Sequence, residues 1–133
     1  MLSAYSTRRA GTFSLPYKPA VVDTESPAGA TSLAQRLRDS GARMYGAFWC
    51  SHCNAQKREF GKDAQTDLPY IECYPDGYQG PGSIAKACKE ADVEGFPTWL
   101  INGQKLEGDW SLAALQDALD GADTASIQKK YAQ

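Results

Sequence analysis

The chain has 133 residues and a mass of 14.4 kDa; 42% of its residues are hydrophobic and 23% are charged. This length fits one globular domain with some additional chain, and this composition excludes wholesale disorder and collagen-like structure. The formal net charge of −2 disfavours electrostatic binding of nucleic acid, and no run approaches the ~18 consecutive apolar residues of a membrane span.

Residues 1–30 differ in composition from the rest of the chain. Up to Val22 they contain basic residues but no acidic one, and prolines interrupt any helical or strand periodicity. This composition is typical of a flexible arm, a linker or the remnant of a targeting segment. Arg8-Arg9 resembles a twin-arginine export signal, but no apolar segment follows, so a flexible arm is the simpler interpretation. The segment 20–22 could still pair as an edge strand.

From Thr31 onward, capping residues, apolar runs and glycines predict alternating helices and strands. In chain order these are a helix from a capping box at Ser32 to Gly41, a buried strand over 43–49, a helix from Cys50 to Phe60, a strand over 69–74, a helix capped by Ser83, strands over 98–101 and 104–106 joined by an Asn102-Gly103 hairpin turn, and a helix capped by Ser111 that ends at Gly121. The polar segment 122–133 is predicted to be a tail that frays.

This order of elements predicts the fold class. Strands that alternate with helices pair in parallel, and the terminal hairpin adds antiparallel strands. We therefore expect an α/β domain over residues 31–121, with a mixed central sheet flanked by helices.

Two cysteines stand where a predicted strand meets a helix, at Cys50 and Cys53. The N-terminus of a helix carries unpaired N–H groups and about half a positive charge, which stabilises a thiolate at Cys50. Cys53 lies one turn later and can close a small-ring disulfide with Cys50, which then opens and closes by thiol–disulfide exchange. The spacing predicts a redox-active pair in which both cysteines are catalytic.

His52 is the single histidine of the chain and lies between these cysteines. An imidazolium or an N–H donor near the Cys50 sulfur would stabilise its thiolate, and a more stable reduced form makes the disulfide a stronger oxidant. The alternative is an imidazole that points to solvent. We expect the first role and include His52 in the predicted catalytic site.

Two other interpretations fit the four cysteines less well. A zinc ribbon needs two Cys-x-x-Cys knuckles, but 14 residues separate Cys73 from Cys88. Four inert buried cysteines would not explain a Cys-x-x-Cys pair that directly follows Trp49. We therefore predict neither a metal site nor a cofactor.

Several segments resemble known families. Phe48-Trp49-Cys50-Ser51-His52-Cys53 is similar to the active-site segment of the thioredoxin superfamily, and Gly95-Phe96-Pro97-Thr98-Trp99 is similar to its cis-proline loop. Segments 44–50, 70–73 and 96–103 resemble a narrower family, the thioredoxin-like domains fused to, or partnered with, the vitamin K epoxide reductase-like membrane proteins of cyanobacteria and chloroplasts. The plant member of that family is a lumen thiol oxidoreductase. The resemblance covers about residues 31–121.

The resemblance implies a thioredoxin-like fold and a role for particular residues. Cys50 would be the nucleophile that forms mixed disulfides, and Cys53 would be the resolving thiol. Pro97 would be cis and face this pair, and the backbone of Phe96 would bind an extended client segment as an added strand; an ordinary trans proline is the alternative. Cys73–Cys88 would form a structural disulfide, with two free thiols or a second redox-active pair as the alternatives.

The remaining aromatic and basic residues near the site have simpler interpretations. Trp49 and Phe96 flank the site and could form an apolar collar that receives client protein, whereas Trp99 and Trp110 are expected in the core. The basic residues 57 and 58, later on the active-site helix, are expected on a solvated face.

Met44 stands where reducing thioredoxins, which this segment resembles, carry a buried aspartate, and Ser-His replaces their Gly-Pro. Both differences favour an enzyme that promotes disulfide formation in reduced client proteins, in an oxidising compartment such as the thylakoid lumen or periplasm. The resemblance implies a quinone-linked, vitamin K epoxide reductase-like membrane partner that reoxidises it. A disulfide reductase or isomerase is one alternative, and a non-catalytic client-binding adaptor is another.

Overall fold

The structure, a computed structural model, describes residues 13–131. The helices and strands in this range are α1 (Ala30–Asp39), β1 (Arg43–Gly46), α2 (Ser51–Phe60), β2 (Tyr70–Glu72), α3 (Lys86–Glu90), β3 (Thr98–Ile101), β4 (Gln104–Glu107), α4 (Leu112–Leu119) and α5 (Thr124–Tyr131). Short 3-10 helices occupy Lys62–Ala64 and Pro81–Ser83. Within the described range, every helix is too short or too polar to cross a membrane.

The four strands form one mixed sheet in the order β2-β1-β3-β4. Strand β1 pairs in parallel with β2, so that Met44 lies opposite Tyr70, and antiparallel with β3, so that Met44 also lies opposite Trp99. Strands β3 and β4 form the predicted antiparallel hairpin, with φ of 51° at Asn102 and 78° at Gly103. The predicted mixed sheet flanked by helices is confirmed and is compatible with a thioredoxin-like fold.

Two hydrophobic clusters pack against the sheet, because side chains alternate between its two faces along each strand. Met44 and Trp99 belong to the larger cluster, to which helices α1, α2, α4 and α5 contribute, whereas Tyr45 belongs to the smaller one. Trp99 is fully buried as predicted, but Trp110 is only partly buried against the larger cluster. The core therefore lies directly beneath the end of β1 that leads into the Cys50 segment.

Two of the four predicted helix starts are wrong, and the other two, at Cys50 and Ser111, are confirmed. Helix α1 begins at Ala30 without a side-chain cap, so Ser32 lies inside the helix and forms no capping box. The Ser83 hydroxyl donates to the carbonyl of Gly80 and closes a 3-10 turn, so helix α3 begins only at Lys86. Ser111 caps α4 as predicted, because its hydroxyl accepts the N–H of the residue three positions later.

The segment before α1 lies against the domain instead of extending from it. Residues 13–29 contain one isolated antiparallel bridge, between Leu15 and Tyr78, and the possible edge strand over 20–22 does not form. The Thr24 hydroxyl donates to the carbonyl of Arg58 at 2.8 Å, and the Thr24 carbonyl accepts the N–H of Lys62. The remainder of the predicted arm, residues 1–12, lies outside the described residues.

The polar C-terminal segment forms helix α5, so the prediction that it frays is wrong over Thr124–Tyr131. Ile127 is buried in the larger cluster. The N–H of the first helical residue donates to Gln104 Oε1 at 2.8 Å, and the Tyr131 hydroxyl donates to Asp117 at 2.6 Å. The buried Ile127 and hydrogen bonds to β4 and α4 hold a helix whose sequence is otherwise polar.

Candidate active site

Cys50 is the N-cap residue of α2, with an extended backbone (φ −80°, ψ 121°). Its sulfur accepts the N–H of Cys53 at 3.4 Å, and its thiol donates to the carbonyl oxygen of Phe96 at 3.5 Å. Both cysteines carry free thiols, but Cys50 is half-buried and Cys53 is completely buried. A helix N–H group thus points at the more accessible sulfur, which is the arrangement that stabilises an anion at a helix N-terminus.

A tight turn between β1 and α2 fixes the position of Cys50. The N–H of Cys50 donates to the carbonyl of Ala47 at 3.0 Å, and the side-chain amide of Asn54 donates to the carbonyl of Phe48 at 3.2 Å. The N–H of Phe48 donates to the carboxylate of Glu72 at 3.1 Å. Two short-range hydrogen bonds and one to the neighbouring strand β2 therefore orient the start of the helix.

The loop before β3 supplies the other wall of the site. Phe96 is 46 residues from Cys50 along the chain, yet its carbonyl oxygen faces the Cys50 sulfur. The Phe96–Pro97 peptide bond is cis, and Pro97 is buried. The hydroxyl of Thr98 donates to the carbonyl of Gly95 at 2.6 Å, which ties the loop to the first residue of β3. The tertiary structure thus brings the two segments of the sequence prediction together.

The His52 imidazole is oriented by a carboxylate. Its Nδ1 lies 2.9 Å from Oδ1 of Asp109, in the loop after β4, and the imidazole side chain is 70% exposed. The hydrogen bonds of the Cys50 sulfur involve the backbone of Cys53 and Phe96. Asp109 is 57 residues from His52, and no motif in the sequence pointed to it.

Gln56 holds the loop that carries Asp109. Its side chain is completely buried within α2. The side-chain oxygen accepts the N–H of Trp110 at 2.8 Å and the indole N–H of Trp99 at 3.0 Å, and its amide donates to the carbonyl of Trp110 at 2.9 Å. The sequence analysis missed Gln56, whose partners Trp99 and Trp110 lie more than 40 residues away along the chain.

Trp49 lies at the centre of a group of rings that we call the aromatic surface: Phe48, Trp49, Tyr74, Tyr78 and Phe96. The indole is 39% exposed and contacts the other four rings at centroid distances of 4.7–6.4 Å. Trp49 and Phe96 thus lie side by side next to Cys50. The two tyrosines come from the loop after β2, and the sequence analysis did not include them in the site.

An apolar cavity of about 300 Å³ adjoins the aromatic surface. It is lined by Phe13, Leu15, Trp49 and Tyr78. Two backbone hydrogen bonds between Leu15 and Tyr78, at 2.8 and 2.9 Å, fix the segment that forms one of its walls. The N-terminal segment therefore contributes to the surface beside the cysteine pair.

Lys57 is buried, with 9% of its surface exposed, so the predicted solvated face is wrong for this residue, whereas Arg58 is exposed. The ammonium group of Lys57 lies 3.6 Å from the centre of the Tyr70 ring, and the Tyr70 hydroxyl donates to Glu72 at 2.8 Å. An aromatic face and a nearby carboxylate compensate the buried charge. The sequence could not show this, because these partners lie on a neighbouring strand.

Burial is the largest influence on the pKa values of three interior residues, Cys53, Lys57 and Tyr70. It raises the pKa of the Cys53 thiol well above its ordinary value, and a backbone hydrogen bond with Ala47 and the charge of Lys57 oppose that rise. Burial lowers the pKa of Lys57, against the opposing effect of the Glu72 and Cys53 charges. Burial also raises the pKa of Tyr70, and the Glu72 charge raises it further.

Cys73 and Cys88 are bonded to each other, with a Cα–Cα distance of 5.7 Å. The bond joins the end of β2 to α3 and lies within the smaller hydrophobic cluster. The N–H of Cys73 donates to the carbonyl of Gly46 at 2.8 Å. Among residues 13–131, no group of three or more His, Cys, Asp or Glu side chains could hold a metal ion.

Comparison with known proteins finds a relative over most of the chain. No family model matches the chain. The chain is similar to a thiol-disulfide oxidoreductase. A protein of Arabidopsis thaliana named thiol-disulfide oxidoreductase LTO1 is 46% identical to it over 122 residues, which cover 88% of this chain. The chain spans only 32% of the length of that relative.

Proposed function

We propose that the chain is a protein thiol–disulfide oxidoreductase in which Cys50 exchanges disulfides with client proteins and Cys53 is the second member of the redox pair. The observation that carries the proposal is the half-buried Cys50 sulfur at the N-cap of α2, which accepts the N–H of Cys53. The name of the Arabidopsis relative supports the same activity. His52, which lies between the two cysteines in the first turn of α2 and pairs with Asp109, tunes the redox pair.

The reaction runs towards oxidation of the client. A client thiolate attacks the Cys50 sulfur of the oxidised pair; a bond forms between the client and Cys50, and Cys53 leaves as the thiolate. A second client thiolate then attacks the client sulfur of this mixed disulfide, and Cys50 leaves as the thiolate. Two electrons have passed from the client to the pair. The helix N-terminus stabilises the departing Cys50 thiolate, which favours this direction.

The aromatic surface receives the client next to Cys50. Trp49 and Phe96 offer exposed or half-buried rings to apolar client side chains. The backbone of Phe96 lies beside the Cys50 sulfur, where it can bind an extended client segment as an added strand. Unfolded or partly folded proteins expose both features, so reduced, unfolded clients fit this surface best.

The reduced pair passes its electrons to a quinone-linked, vitamin K epoxide reductase-like membrane partner, and the sequence resemblance supports this route. The setting is an oxidising compartment such as the thylakoid lumen or the periplasm. The bond between Cys73 and Cys88 supports this setting, because structural disulfides persist mainly in oxidising compartments.

Trapping with Cys53→Ser tests the activity. Loss of the Cys53 thiol should cause client proteins to accumulate in mixed disulfides with Cys50 that a reductant releases. The matched control is Cys50→Ser, which should trap nothing. A non-catalytic adaptor would bind the same clients with and without Cys50 and form no covalent adduct, and that result would refute the proposal.

The reduction potential of the Cys50–Cys53 pair tests the direction. An oxidant should equilibrate with glutathione at a potential well above the value of about −270 mV that is typical of thioredoxin. Thiol labelling should show that Cys73 and Cys88 stay bonded throughout the titration. A potential near −270 mV would instead favour the reductase or isomerase.

A further inference from the structure

The two thiols of the pair differ in burial, and the proposed exchange does not say which group protonates the buried Cys53 thiolate. Cys50 is half-buried, whereas Cys53 is completely buried. When Cys53 leaves as a thiolate during exchange, its negative charge forms in the interior. A charge in such a place is costly unless an opposite charge or a proton is at hand.

We propose that Lys57 is the proton partner of Cys53: its ammonium group gives a proton to the Cys53 thiolate when that sulfur leaves, and its amine takes the proton back when Cys53 attacks. The inference rests on the proposed exchange at Cys50 and Cys53 and deepens it. It gives a role to a buried cation that the exchange chemistry otherwise does not use.

The geometry places both groups near the ring of Tyr70. Lys57 follows Cys53 by four residues, so both lie on one face of α2, and both are buried. A Cβ atom built on Gly46 would lie 2.9 Å from the Cys53 sulfur and 2.8 Å from Cε1 of Tyr70. The Lys57 ammonium group lies 3.6 Å from the centre of that same ring. The Cys53 sulfur and the Lys57 ammonium group therefore both lie near the Tyr70 ring, beneath the end of β1.

The surrounding charges hold this cation in place. The titratable groups that face Lys57 are Cys53 on its own helix and Tyr70 and Glu72 on β2, and Tyr17 from the N-terminal segment interacts with Tyr70. The Glu72 carboxylate is fixed by the Tyr70 hydroxyl and by two backbone N–H groups. It favours the protonated amine at rest, while burial lowers the pKa of Lys57 and makes the proton easier to release.

Atoms and charges balance in this step. The client thiolate and the oxidised pair give a mixed disulfide and the Cys53 thiolate; the thiolate and the Lys57 ammonium then give a neutral thiol and a neutral amine. When the pair is reoxidised, the amine takes the proton back from the Cys53 thiol as that sulfur attacks, so Lys57 ends the cycle as the ammonium. No further oxidant or reductant takes part.

The first test isolates Cys53 in a Cys50→Ala background, where it is the one remaining free thiol. Its alkylation by iodoacetamide is followed as a function of pH. Lys57→Met should slow alkylation about tenfold at a fixed pH below the midpoint and leave the high-pH plateau unchanged, because only the thiolate fraction falls. Arg58→Met, which removes the exposed neighbouring charge, is the matched control and should not change the profile.

The second test separates the effect of the positive charge at residue 57 from the ability of that residue to transfer a proton. Lys57→Arg keeps the positive charge but cannot release a proton in the accessible pH range. It should therefore restore the alkylation profile of Cys53 but not the rate of disulfide transfer from the intact pair to a reduced peptide. Should Lys57→Met fail to fold, Glu72→Gln provides a second test. Without the Glu72 carboxylate, the Lys57 ammonium group loses its proton at a lower pH. The decline of the disulfide-transfer rate at high pH should therefore begin at a lower pH in this variant.

These outcomes distinguish the two proposals. If the unmutated protein transfers no disulfide, the proposed function fails. If it transfers disulfides while Lys57→Met behaves like Arg58→Met in both tests, only the role of Lys57 is refuted. A change confined to the alkylation plateau would mean altered access to the sulfur and would also overturn it.

Discussion

Adding a single methyl group at Gly46 should disturb the interior beneath the active site. A Cβ there would lie 2.8 Å from Tyr70 Cε1, 2.9 Å from the Cys53 sulfur and 3.2 Å from the Tyr70 hydroxyl. Neither neighbour can move freely, because Cys53 is completely buried and the Tyr70 hydroxyl is bonded to Glu72. Overpacking of this kind typically costs about 1–3 kcal/mol, so we expect Gly46→Ala to lower the free energy of unfolding by that amount.

Urea unfolding of the oxidised protein, followed by tryptophan fluorescence, measures this change. Gly82→Ala is the matched control, because a Cβ at Gly82 meets nothing within 4 Å and its φ lies outside the left-handed region. The control should stay within about 0.5 kcal/mol of the unmutated protein. Equal unfolding midpoints for both variants would refute the claim that Cys53 and Tyr70 leave no space for a Cβ atom at residue 46.

Three further predictions concern separate parts of the molecule. His52→Ala should leave less active-site thiolate at a given pH and make the reduction potential more negative; an unchanged thiolate titration would remove the tuning role. Cys73→Ser opens a loop of about 16 residues and should lower the free energy of unfolding by ~3 kcal/mol, measured by thermal unfolding without reductant; an unchanged melting temperature would contradict this estimate. Hydrogen bonds from Tyr131 and Lys130 lower the pKa of Asp117, so the stability that they add is complete above the ordinary carboxyl pKa and is lost as pH falls through the folded-state pKa. Asp117→Asn should therefore reduce the dependence of the free energy of unfolding on pH in the acid range. An identical slope of this free energy against pH in both proteins would refute the linkage.

Short-range signals were read correctly because their causes are local. A helix begins where a side chain or sulfur can accept its first N–H groups, so Cys50 and Ser111 could be placed as N-caps from the sequence. A glycine in the left-handed region ends a helix or closes a hairpin, so Gly41 and Gly103 marked their positions. The same reasoning failed at Ser32 and Ser83, where the pattern was present but the backbone around it turned differently.

Contacts between distant segments account for most of what the sequence analysis missed in and around the site. Asp109 and Gln56 act through partners more than 40 residues away, and nothing in the local sequence marks such pairs. Tyr74 and Tyr78 join the aromatic surface only because the loop after β2 folds over Trp49.

The chain order of residues was enough to establish a thiol pair at the start of a helix, an α/β arrangement of elements and a hairpin near the end, since each depends on neighbours within a few positions. Tertiary packing alone determined which polar side chains are buried. Lys57 and Arg58 are adjacent basic residues on one helix, yet the first is buried and the second is exposed. The difference arises because Tyr70 and Glu72 lie on a strand that packs against only one face of that helix.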